Sequence, residues 1–408
     1  VPRLDAQTLF RRRFKFTPTH LIRAPASLEL LGSQGLCADG LAVAVALDRH
    51  VEIATTPRPD GRIEFVSSEC PDQPETFRVG DFQSDSDTGW LAGVKTALAR
   101  LRARGVNLSG FSAAISNDFP AGTNFGHAAA REVALMLSVR QLFPFAPTES
   151  GLGTPPARDQ NGKLPPLTPR EKLLLAKWFE PHPNGRMPGS ADVLSCKAAL
   201  LGRAWHVLHV DLKFGTAEAS SVTGEVLVVC IPQPVTGAET AALRGAPARG
   251  EGASPRELCE SAAKHLGARS LRSVEPDMLK AEKSKLTPRE FDCARHVVGE
   301  FSRLVAAERV LRNEEHKQFG EFMLQSHESR RDLIKDVSPD TELLVKTARV
   351  HPACLGARGC PEASEGATVN LVRHHQADAF AKQMAQFYEG RMGRALAVHV
   401  FQIADGGS

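Results

Sequence analysis

Apolar residues run almost unbroken through 41–55 (LAVAVALDRHVEIAT), rich in Val, Ile and Ala, and the run predicts a β-strand. A turn at Asp60-Gly61 follows, and 63–67 predicts a second strand. At 89–103 (GWLAGVKTALARLRA) the apolar positions change to helical spacing. They do so again at 128–143 (AAAREVALMLSVRQLF), with a short predicted strand at 111–116 in between. Residues 144–169 (PFAPTESGLGTPPARDQNGKLPPLTP) are rich in Pro, Gly and Ser and predict a long loop. Helices are predicted at 170–179 and 189–202. Strands are predicted at 205–212 (WHVLHVDL) and 224–231 (GEVLVVCI), joined by a turn. A loop is expected at 232–256 and successive helices from 257 to 347. A strand at 368–373, a helix at 377–391 and a last strand at 395–403 complete the chain. The alternation predicts an α+β protein of two lobes, residues 1–200 and 201–408.

Composition narrows the class only a little. With 42% hydrophobic, 24% charged and 6% aromatic residues, the 408-residue chain matches ordinary globular proteins. Lys and Arg number 50 against 47 Asp and Glu, so net charge gives no case for a nucleic-acid or membrane partner. No apolar run approaches the ~20 residues of a membrane helix. The eight Cys are scattered without a CxxC pair, as expected of reduced thiols in a cytoplasmic protein. His206 and His209, three apart on a predicted strand, point to opposite faces, and His374-His375 lacks supporting ligands, so no metal site is expected. Arg11–Arg13 with Lys15 reads as a solvated basic face.

Several stretches carry a family resemblance. They are ARHVV at 294–298, FGEFMLQSHESRRD at 319–332, LGARG at 355–359, ATVNLV at 367–372 and VHVFQIADG at 398–406. In the first half they are APASLELLG at 24–32, LAVAVALDR at 41–49, DFPAG at 118–122 and AAREVAL at 129–135. In this order they resemble the galactokinase branch of the GHMP kinase superfamily, FGEFMLQSHESRRD following its pattern F-G-x-L-M-x-x-S-H-x-S-L-R-D. The resemblance implies a two-lobed GHMP kinase fold with the ligand cleft between the lobes, lined by 26–40, 118–130, 189–196 and 355–368. It also implies transfer of the ATP γ-phosphate to a sugar hydroxyl. That chemistry needs backbone N–H groups to cradle phosphates, hydroxyls to help hold Mg²⁺, a cation for developing charge and a carboxylate for the sugar hydroxyl.

The motifs that would supply these groups are eroded. Where the family reads P-x-G-x-G-L-S-S-S-A-A, this chain reads PAGTNFGHAAA at 120–130. Pro120 and Gly122 remain, Asn124 replaces the second Gly, and Gly126, His127 and Ala128 replace the triple Ser. In the sugar loop, Ser27 stands at the catalytic Arg position, and Ser33, Gln34 and Leu36 stand at the sugar-contacting Glu, His and Asp positions. Asp39 lies three residues further on and offers either a substitute or an ordinary turn Asp. The third motif, M-T-G-G-G-F-G-G in the family, is GCPEASEG at 359–366, which brings in Pro361, Glu362 and Glu365. GSADV at 189–193 places Asp192 on the catalytic Asp, where it would serve catalysis or cap the following helix. The pocket Tyr of the family is missing, since the chain's single Tyr is Tyr388.

These losses converge on one site while the scaffold motifs persist. The expectation is a catalytically inactive member whose scaffold serves binding or regulation, with no cofactor and with an unidentified small molecule or protein as partner. The alternative is an active sugar or small-molecule kinase with a rebuilt site, which would still use MgATP.

Overall fold

The computed structural model describes residues 4–32, 39–81, 91–120, 123–179, 193–233, 253–360 and 363–408. The contacts divide the chain into two units. The first takes residues 1–28, 45–204 and 404–408, and the second takes 29–44 and 205–403.

The first unit contains α1 (Ala6–Phe14), most of β1 (His20–Gly32), all of β2 (Leu41–Arg58) but its first four residues, β3 (Arg62–Ser67), β4 (Glu75–Arg78), α2 (Ala92–Ala103), β5 (Gly110–Asn117) and α3 (His127–Leu142). Its sheet runs β4-β3-β5-β2, with β3 and β5 parallel. β5 is buried at every position because both of its faces are covered. On one face Ala6, Leu9 and Phe10 of α1 pack on Ala54, Val66 and Ala114. On the other, Phe111 meets the Phe65 and Phe143 rings edge-on at 5.5 and 6.3 Å. Residues 169–177 and 193–201 form α4 (Pro169–Lys177) and α5 (Val193–Leu201).

The Pro-rich stretch after α3 is not the uniform loop expected from its composition. It holds a short hairpin, β6 (Ala146–Thr148) with β7 (Gly151–Gly153), and its Leu164 and Leu167 are buried. Arg140 ties it down, donating from Nε to the Phe145 carbonyl (3.3 Å) and from Nη2 to the Pro165 carbonyl (3.0 Å). Those bonds satisfy backbone oxygens that sheet pairing leaves open.

In the second unit, β8 (His206–Asp211) pairs with Leu41–Ala44 at the start of β2 and with β9 (Thr216–Ser221). β9 occupies what the sequence predicts as a plain turn; TAEASS has no apolar alternation because the strand is largely exposed. A second sheet, entirely antiparallel, runs β11 (Cys354–Gly359), β12 (Thr368–Arg373), β10 (Glu225–Pro232), β13 (Leu396–Phe401). The second unit also contains α6 (Pro255–His265), α7 (Pro276–Ala281) and α8 (Pro288–Arg312), which pack on one another, and α9 (His316–Ser329), α10 (Pro339–Arg349) and α11 (Ala377–Met392), which pack on this sheet. Tyr388 is fully buried here, its hydroxyl donating to Asp340 (2.9 Å), so it is a core residue.

Three helices start on one recurring sequence. Thr168-Pro-Arg-Glu171, Ser254-Pro-Arg-Glu257 and Thr287-Pro-Arg-Glu290 each form a reciprocal capping box with Pro at the first helical position. A different economy governs the packing of α9 on β11. Gly320 lies flat on the backbone of Leu355 and Gly356, with no room for a side chain on either glycine. No helix among the described residues is long and apolar enough to cross a membrane.

Candidate functional site

In the first unit the phosphate-loop remnant leads into α3. Pro120 closes a turn, its carbonyl accepting from the Thr123 N–H (3.3 Å) and hydroxyl (2.8 Å). Asn124 is exposed and Phe125 fully buried. Gly126 caps the helix in the left-handed region, with φ 64° and ψ 29°. A glycine suits this conformation, and any Cβ there would collide with Ser27 Oγ. Ser27 is itself packed onto this turn. Its N–H donates to the Phe125 carbonyl (3.0 Å), it is 3% exposed, and its buried Oγ has no hydrogen-bond partner. His127 and Ala128 open the helix. The His127 ring lies edge-on to Phe119 at 5.3 Å, with Nε2 3.5 Å from Asn117 Nδ2.

The structure therefore brings the buried Ser27 and Phe125 together with the half-buried Gly126 and Ser195 in one contact. Ser195, from α5, was not singled out by the sequence and stands within 3.4 Å of where a Gly126 Cβ would be. Ser33, Gln34, Leu36, Gly122 and Asp192 lie outside the described residues.

Asp39 belongs to the second unit, where it is half-buried in a turn and lines a cavity of about 550 Å³. Its carboxylate accepts from Ser270 Oγ (2.7 Å), and its carbonyl accepts from Arg272 Nη1 (2.8 Å). Arg272 also grips Asp211 two-handed at 2.8 and 2.6 Å.

The third motif joins β11 to β12. Cys360 and Ala367 close it through an N–H to carbonyl bond of 2.8 Å, Gly366 has φ 80°, and Glu365 is exposed. Pro361 and Glu362 lie outside the described residues. Arg358 precedes it, 4% exposed, with Nη1 3.8 Å from Glu29 Oε1 and making no hydrogen bond. This contact between the Arg358 and Glu29 side chains was not anticipated from the sequence, and nothing local in either strand signals it.

Among the described residues, no group of three His, Cys, Asp or Glu could hold a metal ion. His209 and His296 are instead held neutral. Burial, helped by nearby arginines, lowers both to about 4. An unfolded histidine binds its proton near 6.5, so between that value and about 4 the unfolded chain holds more protons. Stability from these two groups is complete above about pH 6.5 and is lost as pH falls towards 4. His316 opposes them: its hydrogen bond to Glu225 raises it, so its contribution is complete at low pH and lost as pH rises. Burial lowers His20, His50 and His327 in the same direction as His209 and His296, so urea midpoints are expected to fall between pH 7 and pH 5. His296→Gln should flatten that slope, and an unchanged midpoint from pH 7 to 5 would contradict the assignment.

No protein-family model matches the chain. It is 29% identical over 402 residues to the galactokinase of Roseiflexus sp. (strain RS-1), covering 97% of this chain and 94% of that one. It is 28% identical over 408 residues to the galactokinase of Homo sapiens, covering 98% and 95%. In structure it resembles Lactococcus lactis galactokinase complexed with galactose, with a TM-score of 0.77 at 19% identity over 98% of both chains. It also resembles Methanococcus jannaschii mevalonate kinase, with a TM-score of 0.54 at 12% identity over 95% of this chain and 98% of that one.

Proposed function

Since the chain belongs to the galactokinase family and has the α+β GHMP kinase fold, we propose that it is a member in which phosphoryl transfer has been lost and the scaffold serves to bind a small molecule or protein partner. The observation that carries this reading is Ser27. At the position where the resemblance calls for a cation, the chain has a small hydroxyl, 3% exposed and pressed against the start of α3. A transferring phosphoryl group spreads negative charge that a neutral buried hydroxyl does not balance.

The residues beside it do not fit MgATP either. The turn Gly126-His127-Ala128 offers no hydroxyl for Mg²⁺, and His127 is packed against Phe119. In the second unit, the third motif carries Glu365, a carboxylate where the family resemblance has a glycine. The expected result is that calorimetry detects no MgATP binding tighter than about 1 mM, equivalent to about −4 kcal/mol. A coupled ADP-release assay with galactose and a panel of other sugars is expected to stay at background. Micromolar MgATP binding with turnover of any sugar would replace this reading with that of an active kinase using a rebuilt site.

A further inference from the structure

The interface of α6 with α8 holds two thiols. Cys259 of α6 and Cys293 of α8 are 2% and 4% exposed and share one apolar cluster with Ala262, Val297 and Phe301. Both are reduced, and the Cys259 thiol donates a hydrogen bond to Cys293. Such a bond sets the two sulfurs side by side, the approach from which a disulfide closes with little backbone movement. Cys259 also forms part of the wall of the cavity of about 550 Å³ that Asp39 lines. The side chains of Lys213, Lys264 and Arg269 line the same cavity and are exposed, so it opens to solvent and gives a small reagent a route to the pair.

The surroundings set these thiols apart from the other buried cysteines. Burial pushes Cys230 and Cys354 up to about 12, which keeps them protonated and inert. Cys293 moves the other way. The hydrogen bond from Cys259, and after it the charge of Arg289, hold it below the ordinary thiol value, against burial and the carboxylates of Asp292 and Asp336. Glu290, one turn before Cys293, is already engaged: it accepts from Ser261 Oγ (2.6 Å) and lies 3.2 Å from His265 Nδ1. Among the described residues no group of three His, Cys, Asp or Glu could hold a metal ion, so the chemistry open to the pair is that of sulfur.

We propose that Cys259 and Cys293 form a modification site for small hydroperoxides, at which the two thiols are converted to a disulfide. The Cys293 thiolate attacks one peroxide oxygen. The O–O bond breaks, Cys293 becomes a sulfenic acid, and hydroxide leaves and takes a proton from solvent. The Cys259 sulfur then attacks the sulfenic sulfur. The S–S bond forms as the S–O bond breaks, and the departing hydroxyl leaves as water with the Cys259 proton. The sulfurs lose a pair of electrons and the peroxide gains it, ending as water. The bridge ties α6 to α8. It uses neither Ser27 nor the start of α3, so it stands whether or not the chain transfers phosphate.

The test treats the full chain with a molar excess of hydrogen peroxide near neutral pH. Remaining thiols are then blocked, and tryptic peptides are mapped by mass spectrometry without reduction. Cleavage releases ELCESAAK (257–264) and EFDCAR (290–295). These two peptides are expected joined by a disulfide that dithiothreitol opens, their thiols lost together about tenfold or more faster than those of Cys230 and Cys354. Cys259→Ser should leave Cys293 as a sulfenic acid that dimedone captures. Cys293→Ser should slow the oxidation of Cys259 about tenfold or more. Where a variant folds poorly, the wild-type map decides alone. Cys259 and Cys293 both still present as thiols after the half-buried Cys70 has been oxidised would overturn the inference, as would a bridge from either to a different cysteine.

Discussion

Gly320→Ala is expected to destabilise the chain by about 3 kcal/mol or more, at the top of the range for overpacking a close contact. The reason is that α9 touches β11 backbone to backbone. A Cβ on Gly320 would fall inside the Leu355 carbonyl and within 2.8 Å of the Gly356 nitrogen. Backbone atoms cannot rotate aside as a flexible side chain would, so the helix must lift off the strand. Lifting it also disturbs Phe319 and Met323, which are fully buried on the same helix. The modest gain in helix propensity from Gly to Ala, about 1 kcal/mol, does not compensate. Gly390 in α11 supplies the contrast. A Cβ there meets nothing within 4 Å, so Gly390→Ala should stabilise by about 0.5–1 kcal/mol. Urea denaturation of both variants measures the difference. A Gly320→Ala midpoint equal to that of the wild type would mean that the helix does not sit so close.

Ser27→Arg restores the residue that the family resemblance asks for, and it is expected to damage the fold without restoring turnover. The new side chain must enter a space occupied by Phe125, Gly126 and Ser195. It would also bring a guanidinium charge to a position that is 3% exposed. Overpacking and an unpaired buried charge together should cost on the order of 3 kcal/mol. Activity should remain at background, because groups that act as a unit are not recovered one at a time. The two readouts are a thermal melt and the ADP-release assay. A variant as stable as the wild type, with galactose-dependent ADP release, would falsify the reading of a closed site.

Much of the fold was legible because its elements carry their own signal. β5 and the long apolar stretch of β2 are buried throughout and read as strands. α3 shows helical spacing from end to end, and almost its whole middle is buried. The elements missed are those whose stability comes from elsewhere. In α1, three adjacent arginines mask the buried Ala6, Leu9 and Phe10. β1 carries Pro25 and small residues that read only as motif, and β11 is a run of small residues shaped by Gly320. That Ser27 stands where the family resemblance has an arginine is visible in the sequence itself. That Ser27 closes onto Gly126 is not, because the contact depends on a left-handed turn and on α5.

The three Ser/Thr-Pro-Arg-Glu helix starts have a consequence for the chain before it is folded. Each box closes within four residues, through bonds such as Glu171 N–H to Thr168 Oγ1 and Thr168 N–H to Glu171 Oε2. Proline has already fixed the backbone angle at the next position. Such turns need no distant partner, so they are available while the long-range sheet pairings are still absent. A denatured ensemble of this chain should then hold nascent helix at 168–171, 254–257 and 287–290, in register with the native starts. The search for the native topology begins with the phase of three helices already chosen.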